Sequence, residues 1–281
     1  MGSRRDARRL VETVAGADAA ELMQILGEGA PDRAVVRLES MIERRRRGEP
    51  LQYVAGAWGF RHLDLMVDDR VLIPRPETEV LVDVALAELR RLRVERARSR
   101  PLVVVDLGTG SGAIALSLAL EAPPLAGPVE VWATDFSAAA LEVAAANLAG
   151  LAGAAATRVR LVRGDWWDAL PTELAGRVDL AVSNPPYVAE ADEVEAEVSA
   201  WEPASALWSG PTGLEATARI LAGAPAWLGP PASVVVEIAS QRAAESVALA
   251  ETYGFETEVH PDLTGRVRVL IARTGPPSDA P

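Results

Sequence analysis

The sequence predicts an α/β protein: a parallel-rich sheet covered by helices on both faces, with a smaller helical unit ahead of it. Three observations carry this. From Leu102 onward, short apolar runs alternate with helical segments. The first of these runs, Leu102–Val105, is continuously apolar, as a strand buried on both faces must be. And 281 residues, 49% hydrophobic and 24% charged, suffice for one large α/β unit and a small one with a core that needs no covalent staples.

Residues 1–47 read as helices. Leu10, Val11 and Val14, then Leu22, Ile25 and Leu26, recur at helical spacing. Pro31 suits the start of a third helix, whose apolar face carries Val35, Val36, Leu38, Met41 and Ile42. That helix ends in Arg44-Arg45-Arg46-Arg47-Gly48, positive charge at a C-terminus followed by a glycine stop. The arginine run reads as a solvated helix end, with a contact surface for an acidic partner as the alternative. Tyr53–Phe60 and Leu63–Val67 are expected as the strands of a hairpin. Pro74-Arg75-Pro76 breaks the chain, a helix follows from Glu77 to about Arg98, and Arg98-Ser99-Arg100-Pro101 marks a boundary.

Beyond it, strands are expected at Leu102–Val105, Val129–Thr134, Val159–Val162, Val178–Ser183, Val234–Ile238, Phe255–Val259 and Val267–Ala272. Helices are expected at Ile114–Leu120, Ala138–Ala149, Leu214–Leu228 and Arg242–Tyr253, and a loose tail from Thr274 to Pro281. No internal repeat is evident.

Composition removes several function classes. The absence of cysteine excludes disulfides, Cys-ligated zinc, iron–sulfur clusters and thiol nucleophiles. Two histidines, His62 and His260, cannot make a multi-His metal site, and neither is assigned a role. No apolar run approaches the ~20 residues of a membrane span. Met1-Gly2-Ser3-Arg4-Arg5 leads into a charged segment rather than a secretory signal, so a cytoplasmic location is expected. All 28 basic residues are arginine, and the net charge is −12. Residues 1–100 hold 19 arginines against 17 acids, and residues 101–281 hold 9 against 23. A broad phosphate-binding surface on the second part is therefore not expected.

Asp106-Leu107-Gly108-Thr109-Gly110-Ser111-Gly112 follows the first buried strand and opens a helix. Glycines there let a ligand approach the backbone, and helix-start N–H groups suit an anionic group such as a carboxylate. No Gly-Lys-Ser/Thr follows, which excludes a phosphate loop, and the glycine spacing is not that of a dinucleotide turn. Asp135 ends the second strand, where an acid can accept from both hydroxyls of a ribose; capping the helix from Ala138 is the plainer alternative. Asp165-Trp166 ends the third strand, where an acid and an aromatic could hold the edge and face of an adenine, or Trp166 could be core. Three successive strand ends with these residues fit a nucleoside carrying an amino-acid tail, the shape of S-adenosylmethionine.

The fourth strand ends in Ser183-Asn184-Pro185-Pro186-Tyr187. At this corner the chain resembles the class I S-adenosylmethionine-dependent methyltransferases that act on planar, amide-like nitrogens. Such an NH2 group is a poor nucleophile because its lone pair is delocalised. Two acceptors, Asn184 Oδ1 and the Pro185 carbonyl, could bind its two N–H bonds and favour a pyramidal nitrogen aimed at the donor methyl. Tyr187 would pack over the planar group. Catalysis would be mostly orientation and electrostatic preorganisation.

Further motifs narrow the resemblance. Gly48-Glu49-Pro50-Leu51-Gln52-Tyr53, Gly56, Phe60, Ile73-Pro74-Arg75-Pro76-Glu77-Thr78-Glu79, Glu197-Val198, Glu202-Pro203, Ala206-Leu207 and Gly265-Arg266 resemble the HemK/PrmC family of release factor glutamine methyltransferases. The resemblance spans residues 1–272. It implies an N-terminal helical substrate-recognition domain (1–48), a β-hairpin linker (49–76) and a Rossmann-like, seven-stranded methyltransferase domain (77–273), then the tail. It implies methyl transfer from S-adenosylmethionine to the glutamine side-chain nitrogen of the Gly-Gly-Gln loop of bacterial class I peptide chain release factors. It assigns Asp106, Gly108, Thr109, Gly110, Ser111, Gly112, Asp135, Asp165, Trp166 and Asn184 to the cofactor. Asn184, Pro185, Pro186 and Tyr187 fall to catalysis and to the substrate, with Arg75 and Glu77 lining the substrate channel. A monomer without metal, membrane or direct nucleic-acid binding is expected. In Val236-Glu237-Ile238-Ala239, alanine stands where the family commonly has glycine, read as a local backbone difference. The alternatives are a sister enzyme acting on a ribosomal-protein glutamine, a nucleic-acid amino-methyltransferase, and a non-catalytic binding module.

Overall fold

The computed structural model describes residues 4–25, 27, 29–96, 100–151 and 153–275. Its chain opens with α1 (Arg4–Ala15), α2 (Ala19–Ile25), α3 (Asp32–Arg46) and α4 (Leu51–Ala55), then a hairpin of β1 (Ala57–Phe60) and β2 (Leu63–Met66), then α5 (Pro76–Arg96). The larger part follows as β3 (Leu102–Leu107), α6 (Ala113–Ala126), β4 (Val129–Asp135), α7 (Ala138–Gly150), β5 (Val159–Arg163) and β6 (Val178–Ser183). It closes with α8 (Ala196–Trp201), α9 (Ala204–Leu207), α10 (Glu215–Trp227), β7 (Leu228–Glu237), α11 (Ala243–Thr252), β8 (Phe255–Pro261) and β9 (Val267–Thr274). Leu26, Arg98, Ser99 and the end of the expected tail lie outside the described residues.

Seven strands form one sheet in the order β5-β4-β3-β6-β7-β9-β8. All pairs are parallel except β7–β9 and β8–β9. Alternation along the strands splits the core in two. Leu102, Val104, Leu180, Val182, Val235 and Ile271 face α5 and α6. Val103, Val105, Leu107, Ala181, Val234, Val236 and Leu270 face α10, α11 and Trp167. This double burial is why Leu102–Val105 could be read as a continuous apolar run. A separate small cluster, Leu10, Met41 and Val54, holds α1, α3 and α4 together.

Three expectations are corrected. Tyr53–Ala55 is helix, not strand: Pro50 stands at its N-cap and Gly56, left-handed at φ 76°, stops it. Tyr53 is thereby turned inward, and its hydroxyl donates to the Val71 carbonyl at 2.6 Å. Helix α6 runs on past Leu120 through Pro123 and Pro124; neither can donate to the carbonyl four residues before it, and for Pro123 that carbonyl, of Ala119, accepts from Arg158 instead. Strand β7 begins at Leu228, earlier than expected, and passes through a cis Pro230–Pro231 bond beside a register shift against β6. Helices α8 and α9 had no counterpart in the sequence reading.

The arginine run divides. Arg44 pairs with Glu49 and donates to the carbonyls of Tyr53 and Val54. Arg45 donates to the Glu49 carbonyl and pairs with Glu197 of α8 at 3.1 Å. Arg46 and Arg47 are exposed. Half of the run therefore ties α3 to the rest of the chain.

Gly164, between β5 and the single turn Trp166–Ala169, shows how tightly the edge of the sheet is drawn in. A Cβ there would stand 2.5 Å from the Ala169 Cα. Gly164→Ala is expected to destabilise the protein by about 1–3 kcal/mol through overpacking, read as a lower denaturant midpoint; an unchanged midpoint would show that the turn can move aside.

Candidate functional site

In this strand order the chain leaves β3 toward β4 and returns to β6 on the other side. A crevice opens where connections diverge, outside the C-terminal ends of such strands. The cavity found there is lined by Gly108, Thr109, Gly110 and Ser111 after β3, Asp135 ending β4, Asp165 and Trp166 after β5, and Asn184 and Pro186 after β6. Arg70, Val71, Leu72, Pro74 and Thr78 line it on one side and Pro203, Ser205 and Ala206 on the other. The residues expected at four strand ends thus meet at one place.

The glycine turn is an internally bonded shelf. Gly108, Gly110 and Gly112 all have positive φ. The Gly108 and Thr109 amides donate to the Thr134 carbonyl at 2.9 and 2.8 Å, and Gly112 N donates to Thr109 O. Gly110 N donates to Asp135 Oδ2 at 2.9 Å. These four amides are engaged within the protein, which narrows the anion-binding expectation. Asp106 lies beneath the shelf rather than in the cavity wall. Fully buried, its Oδ2 accepts from Thr109 Oγ1 at 2.6 Å and from Ala115 N at 3.2 Å, while Oδ1 has no partner among the described residues. Burial pushes its carboxyl up to about 7.

Asp135 is not a helix cap. Ser137 takes that role, accepting from Ala140 N, and the Asp135 carboxylate accepts from Gly110 N and Ser137 N, at 2.9 Å each. Burial raises its carboxyl as well. Trp166 adopts φ 50°, unusual for a non-glycine residue, and its ring lies over Gly108. Asp165 pairs with Arg219 at 2.5 Å, both half exposed.

At the β6 corner, Asn184 Nδ2 donates to Thr78 Oγ1 at 3.1 Å. Thr78 in turn donates to Glu237 Oε2 at 2.7 Å, and the Tyr187 hydroxyl to Glu237 Oε1 at 3.4 Å. Asn184 Oδ1 is buried and has no partner among the described residues. Burial pushes Glu237 up to about 7 and holds the Tyr187 phenol well above its usual range. Pro185 is buried, and neither it nor Tyr187 lines the cavity.

Arg75 and Glu77 do not reach into the cavity. Arg75 pairs with the buried Glu202, which also accepts from Ile73 N at 3.1 Å. The residue of that segment which reaches Asn184 is Thr78. Thr78, Glu202 and Glu237 were not singled out as site residues. The signal for all three lay inside the quoted motifs: a hydroxyl or carboxylate in an otherwise apolar or proline-rich stretch. Ala239 sits in ordinary extended backbone, φ −67° and ψ 125°, so alanine fits there. His62 is exposed, 3.9 Å from Glu121, and His260 is 3.0 Å from Glu258; both are outside the cavity. Among the described residues no group of acids and histidines could hold a metal, and no helix is long and apolar enough to cross a membrane.

Comparisons with known proteins bear on the family and the fold. The PrmC N-terminal domain family matches residues 2–56, and the methyltransferase small domain family matches residues 89–202. A Cereibacter sphaeroides protein named release factor glutamine methyltransferase is 41% identical over 276 residues, covering 96% of this chain and 90% of its own. One of the same name from Deinococcus radiodurans is 39% identical, covering 95% and 90%. Among solved structures, the N-terminal domain of human METTL16 in complex with SAH is similar in fold, with TM-score 0.53 and 16% identity over 86% of this chain and 82% of that one.

Asp106 makes stability pH-dependent in a known direction. Its folded value of about 7 lies above the ordinary 3.8. The advantage of the neutral acid is complete below 3.8, is drawn down as pH rises, and is gone above about 7. Stability is expected to fall over that window, and Asp106→Asn to flatten the fall by a few kcal/mol in order of magnitude; denaturant unfolding at pH 5 and pH 8 checks it, and equal slopes would show the acid is not the cause.

Proposed function

This chain belongs to the release factor glutamine methyltransferase family, and we propose that it transfers a methyl group from S-adenosylmethionine to the side-chain amide nitrogen of the glutamine in the Gly-Gly-Gln loop of bacterial class I peptide chain release factors. The observation that carries the reading is the orphaned acceptor: Asn184 Oδ1, buried at the rim where four strand ends meet, has no donor among the described residues. A carboxamide NH2 is the group that supplies one. The family membership names the methyl acceptor; the corner supplies the chemistry to hold it.

The cavity suits the donor. Asp135 spends two hydrogen bonds on backbone amides and keeps lone pairs for a ribose diol. Trp166 offers an aromatic face beside the shelf, and a Cβ added at Gly110 would meet only open space. S-adenosylmethionine, when bound, supplies an electrophilic methyl on a sulfonium. The protein's part is positional. Asn184 Oδ1 accepts one N–H of the glutamine amide, and the Pro185 carbonyl accepts the other. Both bonds draw the nitrogen out of conjugation and turn its lone pair toward the shelf. Orientation of this kind can supply ~7–11 kcal/mol of a barrier. The acidic character of residues 101–281, 9 arginines against 23 acids, favours a protein acceptor over a nucleic acid. In this reading the enzyme is a cytoplasmic monomer, with residues 1–48 for substrate recognition, 49–76 as linker and 77–273 as the catalytic domain.

Asn184→Ala is expected to lower turnover about a hundred- to thousand-fold while S-adenosylmethionine still binds; unchanged turnover defeats the role. Asp135→Ala should weaken that binding about tenfold to a hundredfold by calorimetry, the loss of charge-assisted bonds, and equal affinity refutes the ribose contact. Mass spectrometry of a release factor incubated with the enzyme should find one added methyl on the loop glutamine. Methylation surviving replacement of that glutamine would point to another acceptor, such as a ribosomal protein.

A further inference from the structure

We propose that Glu237, acting through the Thr78 hydroxyl, fixes the polarity of the Asn184 carboxamide, and so makes the site select a carboxamide over a carboxylate. The inference rests on the reading of Asn184 given above and deepens it.

An ionised carboxylate only accepts hydrogen bonds. Glu237 is buried at the end of β7, beside the end of β6, where Ser183 pairs with Val236. Its Oε2 takes the one hydroxyl proton of Thr78 at 2.7 Å. The Thr78 oxygen then has only lone pairs to offer Asn184, so the group facing it at 3.1 Å must be the NH2. The Asn184 oxygen is thereby left on the opposite side with no partner among the described residues. Three residues from three parts of the chain, none adjacent in sequence, decide which end of the carboxamide is free.

The consequence is chemical discrimination. The free Oδ1 is an acceptor. It receives an NH2 group and repels a carboxylate. Were Asn184 turned over, an NH2 would face the substrate and the preference would invert. A site built to bond one polar group rejects its analogue strongly, because the mismatch leaves buried groups unpaired.

The relay can also run backwards. A protonated Glu237 would donate to Thr78, and Thr78 would then donate to the Asn184 oxygen. The groups acting on Glu237 are Thr78 and Glu77 from α5, Tyr187 from the β6 corner and Arg268 from β9. Arg268 favours the charged form, Glu77 opposes it, and burial sets the balance at about 7. Activity should accordingly rise with pH through neutrality.

The test uses the full-length protein with a purified release factor carrying either glutamine or glutamate in its loop. Thr78→Val should lower kcat about tenfold or more and shrink the binding preference for glutamine over glutamate by a similar factor. Binding of S-adenosylhomocysteine and the melting temperature report whether the fold survives. Thr78→Ser should restore both kcat and preference, since it restores the hydroxyl. Glu237→Gln should abolish the acid limb near pH 7, which Asp106 alone would leave in place. Wild-type kcat and preference in Thr78→Val, or a Thr78→Ser variant as impaired as Thr78→Val, would overturn the relay. Wild-type enzyme that leaves the release factor unmodified would instead bring down the functional reading, and the selectivity with it.

Discussion

Because β3 lies between β4 and β6, the chain must leave the C-terminal end of β3 on one side and come back on the other. No connection can cover the ground between them. The site occupies that ground, and its parts arrive there by topology: the shelf after β3, Asp135 after β4, Trp166 after β5 and Asn184 after β6. Parallel pairing also sets their depth. Asp106 pairs in register with Ala133 and with Val182, so the turn after it and the corner after Ser183 begin at the same level. Ser183 fastens that level by donating to the Leu107 carbonyl at 2.6 Å.

The buried carboxylates divide by what surrounds them. Glu88 on α5 is met by Arg91, Arg273 and the Ser233 hydroxyl, and these hold its carboxyl at about 2 despite burial. It is a structural ion pair. Asp106 and Glu237 are buried without an arginine in contact, and burial wins, leaving both near 7. Each nevertheless faces only donors: Thr109 and a helix amide for Asp106, Thr78 and Tyr187 for Glu237. Groups kept in this condition cost stability at neutral pH. Their positions explain the cost, since one braces the shelf and the other the corner where the two halves of the site meet.

The strand–helix alternation and the strand-end residues were legible in the sequence because each rests on local pattern: apolar runs, glycines, a proline pair. Asn184, Asp135 and Trp166 needed only their place at a strand end. What was not legible depends on contacts distant in sequence. Thr78 and Asn184 are 106 residues apart, and Thr78 and Glu237 are 159 apart, so no local period links them. The resemblance placed Arg75 in the substrate channel, yet its partner Glu202 is 127 residues away and turns it from the cavity. The Tyr53 helix was missed for a simpler reason. Five residues are too few to show a period, and only the Pro50 and Gly56 that bracket it declare the helix.

The cavity wall links the early chain to the chemistry, and its two attachments differ in kind. Glu202 is nearly inaccessible, and it holds both Arg75 and the Ile73 amide. Breaking such a pair strands a buried charge, at ~3–5 kcal/mol. Trp201, the residue before it, packs against the cluster of Tyr53, Val71 and Ile73. The segment from Val71 to Thr78 is therefore fixed against the end of α8, and with it the hydroxyl that orients Asn184. Arg45 and Glu197 are partly exposed, and a pair of that kind contributes ~0–1 kcal/mol. Helices α1 and α3 are otherwise joined to the chain after them by the Leu10, Met41 and Val54 cluster and by Arg44, which pairs with Glu49 and donates to the Tyr53 and Val54 carbonyls. The chain is thus more firmly tied beside Asn184 than at its first helices. In the reading proposed above, in which the first helices recognise the release factor, that difference would let them adjust to it while the corner stays as built.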